Sequence, residues 1–134
     1  MPTEKRKLGD ICEKLAVRLL VARGYKILER NYLKKWGEID LIALEPSVSR
    51  ETPQLHFIEV KGQTVKFTYL QKHRPEDNVH LWKTRRLWRA IQTWFMEHSE
   101  YEDYEWQIDI AAVFLDLEAR KARIRWTKNV IIEQ

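Results

Sequence analysis

The chain has 134 residues, with 24 Lys and Arg against 20 Asp and Glu, a formal net charge of +4, 44% hydrophobic residues, six Trp and one Cys. This length predicts a single domain, residues 1–134, that buries roughly two-thirds of its unfolded surface, and the aromatic content excludes a disordered chain. A lone Cys12 excludes an internal disulfide framework and points to a reducing, cytoplasmic setting, while the polar, basic stretch Met1 to Lys7 and the lack of a long apolar run predict neither a signal peptide nor a membrane span.

Leu8, Ile11, Cys12, Leu15, Leu19 and Ala22 recur at helical spacing and Gly24 supplies a C-terminal cap, which predicts a helix over 8–23. A first strand follows over Tyr25 to Tyr32. After Lys34, Lys35, Trp36 and Gly37, a second strand is expected over Glu38 to Leu44 and a third over Leu55 to Lys61, both short, apolar and bounded by turn residues. Residues 45–54 and 62–77 read as loops, neither long enough to link domains. Asp77 or Asn78 can cap a second helix with a core stripe of Leu81, Trp88, Ile91 and Phe95, ending near His98. Strands over Trp106 to Leu115 and Ala122 to Trp126 complete the order α-β-β-β-α-β-β, an α/β arrangement with a mixed sheet flanked by helices.

Charge is segregated along this order. Residues 61–98 carry a net +5, residues 99–118 a net −7 and residues 119–134 a net +4. Basic segments interleaved with Trp and Tyr suit a polyanion, because Lys and Arg release counterions from phosphates and aromatic faces stack on bases. On the second helix Arg85, Arg89, Trp82 and Arg86 follow one another around one flank, which is either a phosphate-tracking stripe or a solvated edge pairing with the acidic run Glu100 to Glu105.

The chemically informative residues are polar ones inside apolar strands. Alternation puts Leu55, Phe57, Glu59 and Lys61 on one face of the third strand, and Glu38, Asp40, Ile42 and Leu44 on one face of the second. A lone buried carboxylate is costly, and buried charges are found paired or bound to metal. If the two strands are neighbours, Asp40 and Glu59 converge on one divalent cation, Mg²⁺ or Mn²⁺, with Lys61 beside them; the plainer alternative is a salt-bridged pair at a strand end. Glu13 is a candidate fourth member. It lies away from the main stripe of its helix, on a face of Gly9, Ala16, Val17 and Leu20, where an ordinary surface Glu is the alternative. Four scattered His show no zinc spacing, Gly-rich phosphate loops are lacking, and Cys12 and Asp109 read as structural, with a basic side chain as the expected partner of Asp109.

Gly9-x-x-x-Glu13-x-x-Ala16, Gly24-Tyr25-x-Ile27-Leu28-x-Arg30-Asn31, Gly37-Glu38-Ile39-Asp40-Leu41-Ile42-Ala43 and Phe57-Ile58-Glu59-Val60-Lys61 together resemble the YraN family, as do Lys83-x-x-Arg86-Leu87-x-x-Ala90, Asp109 and the Ile124 to Ile132 tail. That bacterial family of predicted endonucleases is similar in motif order to archaeal Holliday-junction resolvases. The resemblance implies a restriction-endonuclease-like α-β-β-β-α-β core and places the acidic and basic active-site positions on Glu13, Asp40, Glu59 and Lys61, with Asp40, Glu59 and Glu13 as metal ligands. It also implies a metal-dependent endodeoxyribonuclease selective for branched or junction DNA, and a homodimer by analogy. Departures at Cys12, Leu33 and Gln63 touch DNA contacts more than metal chemistry, with Lys34 and Lys35 able to compensate for Leu33. Lys34, Lys35, Trp82, Lys83, Arg85, Arg86 and Arg89 are the expected DNA-binding set. The competing expectation is a catalytically silent nucleic-acid-binding module on the same fold.

Overall fold

The computed structural model describes residues 3–46, 52–67 and 81–130, with side chains from residue 85 onward in the last segment. The first helix, α1 (Glu4–Ala22), starts four residues earlier than periodicity suggests because Thr3 caps it, its Oγ1 accepting the Arg6 N–H at 3.1 Å. It stops at Gly24, whose φ of +86° turns the chain into β1 (Lys26–Lys34). The two-residue turn Lys35-Trp36 leads into β2 (Gly37–Glu45), and β3 (Gln54–Thr64) extends three residues beyond the expected strand. The second helix, α2 (Leu81–Glu97), and a 3-10 turn at Ser99–Tyr101 precede β4 (Trp106–Asp116) and β5 (Lys121–Thr127). The expected Asp77 or Asn78 cap, His73, His80 and the side chains of Leu81, Trp82 and Lys83 lie outside the described residues, as does the tail from residue 131.

The five strands lie in sequence order in one mixed sheet, as expected for an α-β-β-β-α-β core; β3 and β4 run parallel and the other neighbours antiparallel. The parallel step requires a crossover, which contains α2. On the α2 side Tyr32, Ile39, Ile42, Leu55, Phe57 and Ile108 pack with Leu87, Ala90, Ile91 and Trp94. Phe57 sits at its centre, edge-on to Trp94, Phe95 and Trp106 at ring separations of 5.5, 5.5 and 5.6 Å. On the α1 side Leu41, Ala43, Ile58 and Ala111 meet Ala16 and Leu20, and Val113 and Leu115 meet Cys12.

Each helix buries a stripe offset from the expected one. In α1 the buried residues are Cys12, Glu13, Ala16 and Leu20, while Ile11 is 46% exposed. In α2 Leu87, Ala90, Ile91 and Trp94 are buried, and Trp88 and Phe95 only partly so. Small residues decide the orientation because they let the helices approach closely. A Cβ on Gly62 would lie 2.4 Å from Cys12 Sγ, and one on Gly37 would lie 2.0 Å from the Arg86 carbonyl oxygen. Cys12 is thus a packing residue, its thiol pushed up to about 11 by burial.

One topological detail positions the polar residues. The β2–β3 ladder runs from Glu45↔Gln54 to Leu41↔Ile58 and ends there. Beyond it, residues 37–39 pair with β1 and residues 59–64 with β4, so the sheet forks.

Candidate active site

The fork opens because both strands of the first hairpin lose their regular alternation at the same level. Gly37 and Ile39 face α2, and so does Ile42, whereas Leu41 and Ala43 face α1. The phase therefore slips by one residue at Asp40, and Asp40 does not share the face of Ile42 and Leu44 that strict alternation predicts. Across the hairpin, pairing skips from Arg30↔Leu41 to Tyr32↔Ile39, and the intervening Asn31 adopts φ +52°. A left-handed Asn inside a strand is uncommon, and its short polar side chain makes it one of the residues that tolerates the conformation.

These slips direct polar groups into the fork. Asp40 Oδ2 accepts the Val60 N–H at 2.8 Å, so a side chain replaces the ladder bond that β2 would have supplied. Glu59 is 4% exposed, and Lys61 Nζ lies 3.6 Å from its Oε1. From the α1 side Glu13, 6% exposed, accepts from Arg30 Nε at 3.1 Å and from Asn31 Nδ2 at 3.2 Å, both at Oε1. An ordinary surface Glu is excluded: Glu13 occupies the buried stripe of α1, next to Cys12 and one turn from Ala16.

A cavity of about 660 Å³ occupies the fork, and Glu13, Asp40, Glu59 and Val60 line it together with Glu38, Asn31 and Leu33. Lys5, Arg6, Gly9 and Asp10 of α1, with Thr3 before it, complete the wall. Three of the four expected catalytic side chains thus share one cavity; the fourth, Lys61, is not among its lining residues but pairs with Glu59, which is. Arg30, Asn31, Lys5 and Arg6 have no assigned role in the sequence reading. The available signal was the Arg30-Asn31 dipeptide, but β1 carries other charged residues as well, and the partner Glu13 lies 17 residues from Arg30 on another element.

Among the described residues no three of the His, Cys, Asp and Glu side chains converge closely enough to cage a metal ion. A hard cation such as Mg²⁺ needs no cage, since it takes one or two carboxylates and fills its shell with water and substrate phosphate. Asp40 and Glu59 supply hard oxygen donors on the wall of a cavity with room for both, so their chemistry fits such an ion. Glu13 is a further carboxylate of the cavity, and its Oε1 already accepts from two donors.

The expected nucleic-acid contacts are distributed around the hairpin and α2. Lys34 pairs with Glu97 at 3.0 Å and lies over the Tyr32 ring, and Tyr32 O–H also donates to Glu97. Lys35, Arg85, Arg86 and Arg89 are exposed. Neither Arg85 nor Arg89 has an ion-pair partner among the described residues, so the described structure does not supply the pairing with the acidic run Glu100 to Glu105 that would make their flank an internal charge balance. Trp82 and Lys83 belong to the undescribed side chains.

A second polar cluster lies on β3 and β4, with Asp109 level with Ile58. Asp109, fully buried, has His56 Nδ1 at 2.6 Å and accepts from Gln107 Nε2, Trp126 Nε1 and the Asn129 N–H at 2.8–3.0 Å. His56 Nε2 faces Glu45 Oε1 at 2.8 Å. Asp109 is structural with His56 as its basic partner, as the sequence suggested. Burial alone would push its carboxyl up, but the bonds from His56, Trp126, Asn129 and Gln107 outweigh that and hold it below its ordinary value.

Comparison with known proteins matches residues 12–113 to the model of uncharacterised protein family UPF0102. A UPF0102 protein from Synechococcus sp. (strain CC9902) is 33% identical over 126 residues, covering 92% of this chain and 93% of its own. One from Caldanaerobacter subterraneus subsp. tengcongensis is 36% identical over 115 residues, covering 85% and 84%. A third, from Fusobacterium nucleatum subsp. nucleatum, is 32% identical over 127 residues, covering 94% and 92%.

Proposed function

The chain belongs to the UPF0102 family, the family its motifs resemble under the name YraN, and from that premise we propose that it is a divalent-metal-dependent DNA endonuclease acting at the fork between β2 and β3. The observation that carries this reading is the shared cavity of Asp40 and Glu59, with Lys61 paired to Glu59. Carboxylates grouped in a cavity repel phosphate and weaken a site that only binds DNA; they suit one that recruits a cation to meet the phosphate.

Asp40 and Glu59 would hold Mg²⁺ or Mn²⁺. When bound, such an ion polarises a phosphoryl oxygen and makes its water more acidic. Asp40 is set for this by the Val60 N–H, which fixes its carboxylate against β3. Lys61 places an ammonium beside the Glu59 carboxylate, where it orients the attacking water and offsets negative charge developing on the phosphate. Glu13 acts as a positioning residue: its buried carboxylate holds Arg30 and Asn31, and with them the left-handed turn that directs Asp40 into the fork. The supposed preference for branched or junction DNA rests on the resemblance to junction resolvases.

The test is a cleavage panel of duplex, single-stranded, flap and four-way-junction DNA with Mg²⁺ and with Mn²⁺, run on the wild type and Glu59→Gln. Metal-dependent cutting by the wild type that is lost in Glu59→Gln is expected. Equal rates for the two proteins would sink the assignment, and failure of the wild type to bind Mn²⁺ at millimolar concentration would favour the silent DNA-binding module instead.

A further inference from the structure

We infer that Arg125 and Arg123 on the edge strand β5 form a phosphate-binding strip that continues from Lys61 across the sheet, seating the backbone of the nucleic acid cut at the fork. The inference rests on the nuclease reading for the identity of the polyanion, but its evidence comes from sheet register and from the face each side chain takes.

Register places the residues in rows. Lys61 is level with Ala112 and Ala112 with Arg125; two residues further, Gln63 is level with Phe114 and Phe114 with Arg123. The face follows from the apolar neighbours. Val60, Val113, Leu115, Ile124 and Trp126 pack toward α1, and the Gly62 Cβ direction points at Cys12. Alternation therefore leaves Lys61, Gln63, Ala112, Phe114, Arg123 and Arg125 together on the opposite face.

Neighbouring strands lie about 4.8 Å apart, so Lys61 and Arg125 are separated by roughly 10 Å, with the buried Ala112 in the row between them.

Two details set this strip apart from an ordinary solvated edge. The guanidinium of Arg125 lies over the Phe114 ring at 5.2 Å, and that of Arg123 over Phe67 at 4.5 Å, so both cations are held on aromatic platforms. Pre-positioned guanidinium groups lose less freedom on meeting a phosphate than swinging side chains do. In addition, the described ring contacts of α2 fall at the Phe57–Trp106 end of β3 and β4, leaving the Lys61–Arg125 end beyond them. The nearby carboxylate of Asp116, level with Lys121, accepts from the Phe67 and Ala119 N–H groups.

The experiment measures affinity for labelled duplex and four-way-junction DNA against salt concentration in EDTA, so that binding is read without cleavage. It compares wild type, Arg123→Gln/Arg125→Gln and a charge-matched control, Arg18→Gln/Arg23→Gln, at exposed positions around α1. The log–log salt slope should fall in magnitude by about 1.8 in the strip variant, roughly 0.9 per contact, and stay unchanged in the control. Should the double variant fail to fold by circular dichroism, Arg123→Gln alone, at an exposed position, should lower it by about 0.9. An unchanged slope, or an equal fall in the control, overturns the strip. Cleavage by the wild type with Mg²⁺ is scored on the same preparation: cutting with an unchanged slope overturns the strip alone, a reduced slope without cutting overturns the nuclease reading alone, and a wild type that binds no DNA overturns both.

Discussion

Two groups of carboxylates interrupt the same apolar sheet, and they are built in opposite ways. Around Asp109 every donor within reach is satisfied, the carboxylate is fully buried, and regular β3–β4 pairing runs past it with His56 level with Gln107. Around Asp40 and Glu59 the pairing stops, a left-handed Asn31 breaks the alternation, and a cavity of about 660 Å³ takes the place of packed side chains. The difference separates a polar network that closes on itself from one that leaves room for a ligand. Local strain and an open wall beside buried charge are the pattern expected of a working site.

If that distinction holds, the two clusters should respond oppositely to neutralisation. Asp109→Ala should lower stability by about 3–5 kcal/mol, because it strands the buried His56 and three further, partly buried donor bonds. Urea unfolding followed by far-ultraviolet circular dichroism reads the change. A loss under about 1 kcal/mol would mean that the closed cluster is no more structural than the open one.

Neutralising the fork should spare the fold and remove the chemistry. Asp40→Asn and Glu59→Gln should each reduce metal-supported cleavage by about 10²–10³-fold, the scale of removing one transition-state contact. Their unfolding midpoints should stay level or rise, since replacing a buried charge by a neutral isostere relieves desolvation. Destabilisation as large as that of Asp109→Ala, with cleavage falling only in proportion to the unfolded fraction, would erase the contrast.

The closed cluster was only half legible in the sequence. Asp109 reads as structural in a strand, but its partner His56 is 53 residues away and meets it through the parallel β3–β4 pairing, which no local pattern encodes. The strands themselves were readable, because each is a short apolar run between turn residues, and Glu59 and Lys61 fall on one face by simple alternation. Asp40 was found as a carboxylate in an apolar run, but its direction was not, because the slip at Asn31 sits on the facing strand. Glu13 shows the same limit in a helix. Two stripes of α1 overlap, and the one with Cys12, Ala16 and Leu20 is buried because Gly62 lets it approach the sheet. Bulk points to the other stripe, while close packing favours the small residues.

Acid sharpens the comparison further. The Asp109 carboxyl is held below its ordinary value in the folded state, so its contribution to stability is fully present above the unfolded value of about 3.9 and is lost as pH falls through the folded value. The stability difference between wild type and Asp109→Asn should therefore be constant above about pH 5 and shrink as the medium is acidified below that. Parallel curves down to the lowest pH at which the wild type stays folded would show that the network does not favour the ionised form.

The smallest expected effect concerns the flank of α2, and it asks whether the open cluster faces its ligand from this side as well. Arg85 and Arg89 are exposed and have no ion-pair partner among the described residues, and the Arg86 backbone abuts Gly37 at the start of β2, one residue from the cavity-lining Glu38. That places the flank beside the hairpin that forms one wall of the fork. If it follows the phosphate backbone, Arg85→Ala and Arg89→Ala should each reduce the salt slope of DNA binding by roughly 0.9 with little change in sequence preference. Neither should move the unfolding midpoint by more than about 0.5 kcal/mol, since exposed substitutions away from packed features rarely do. Unchanged slopes in both would leave Lys35 and the β5 arginines to hold the nucleic acid, and would make the fork a site approached from the sheet edge.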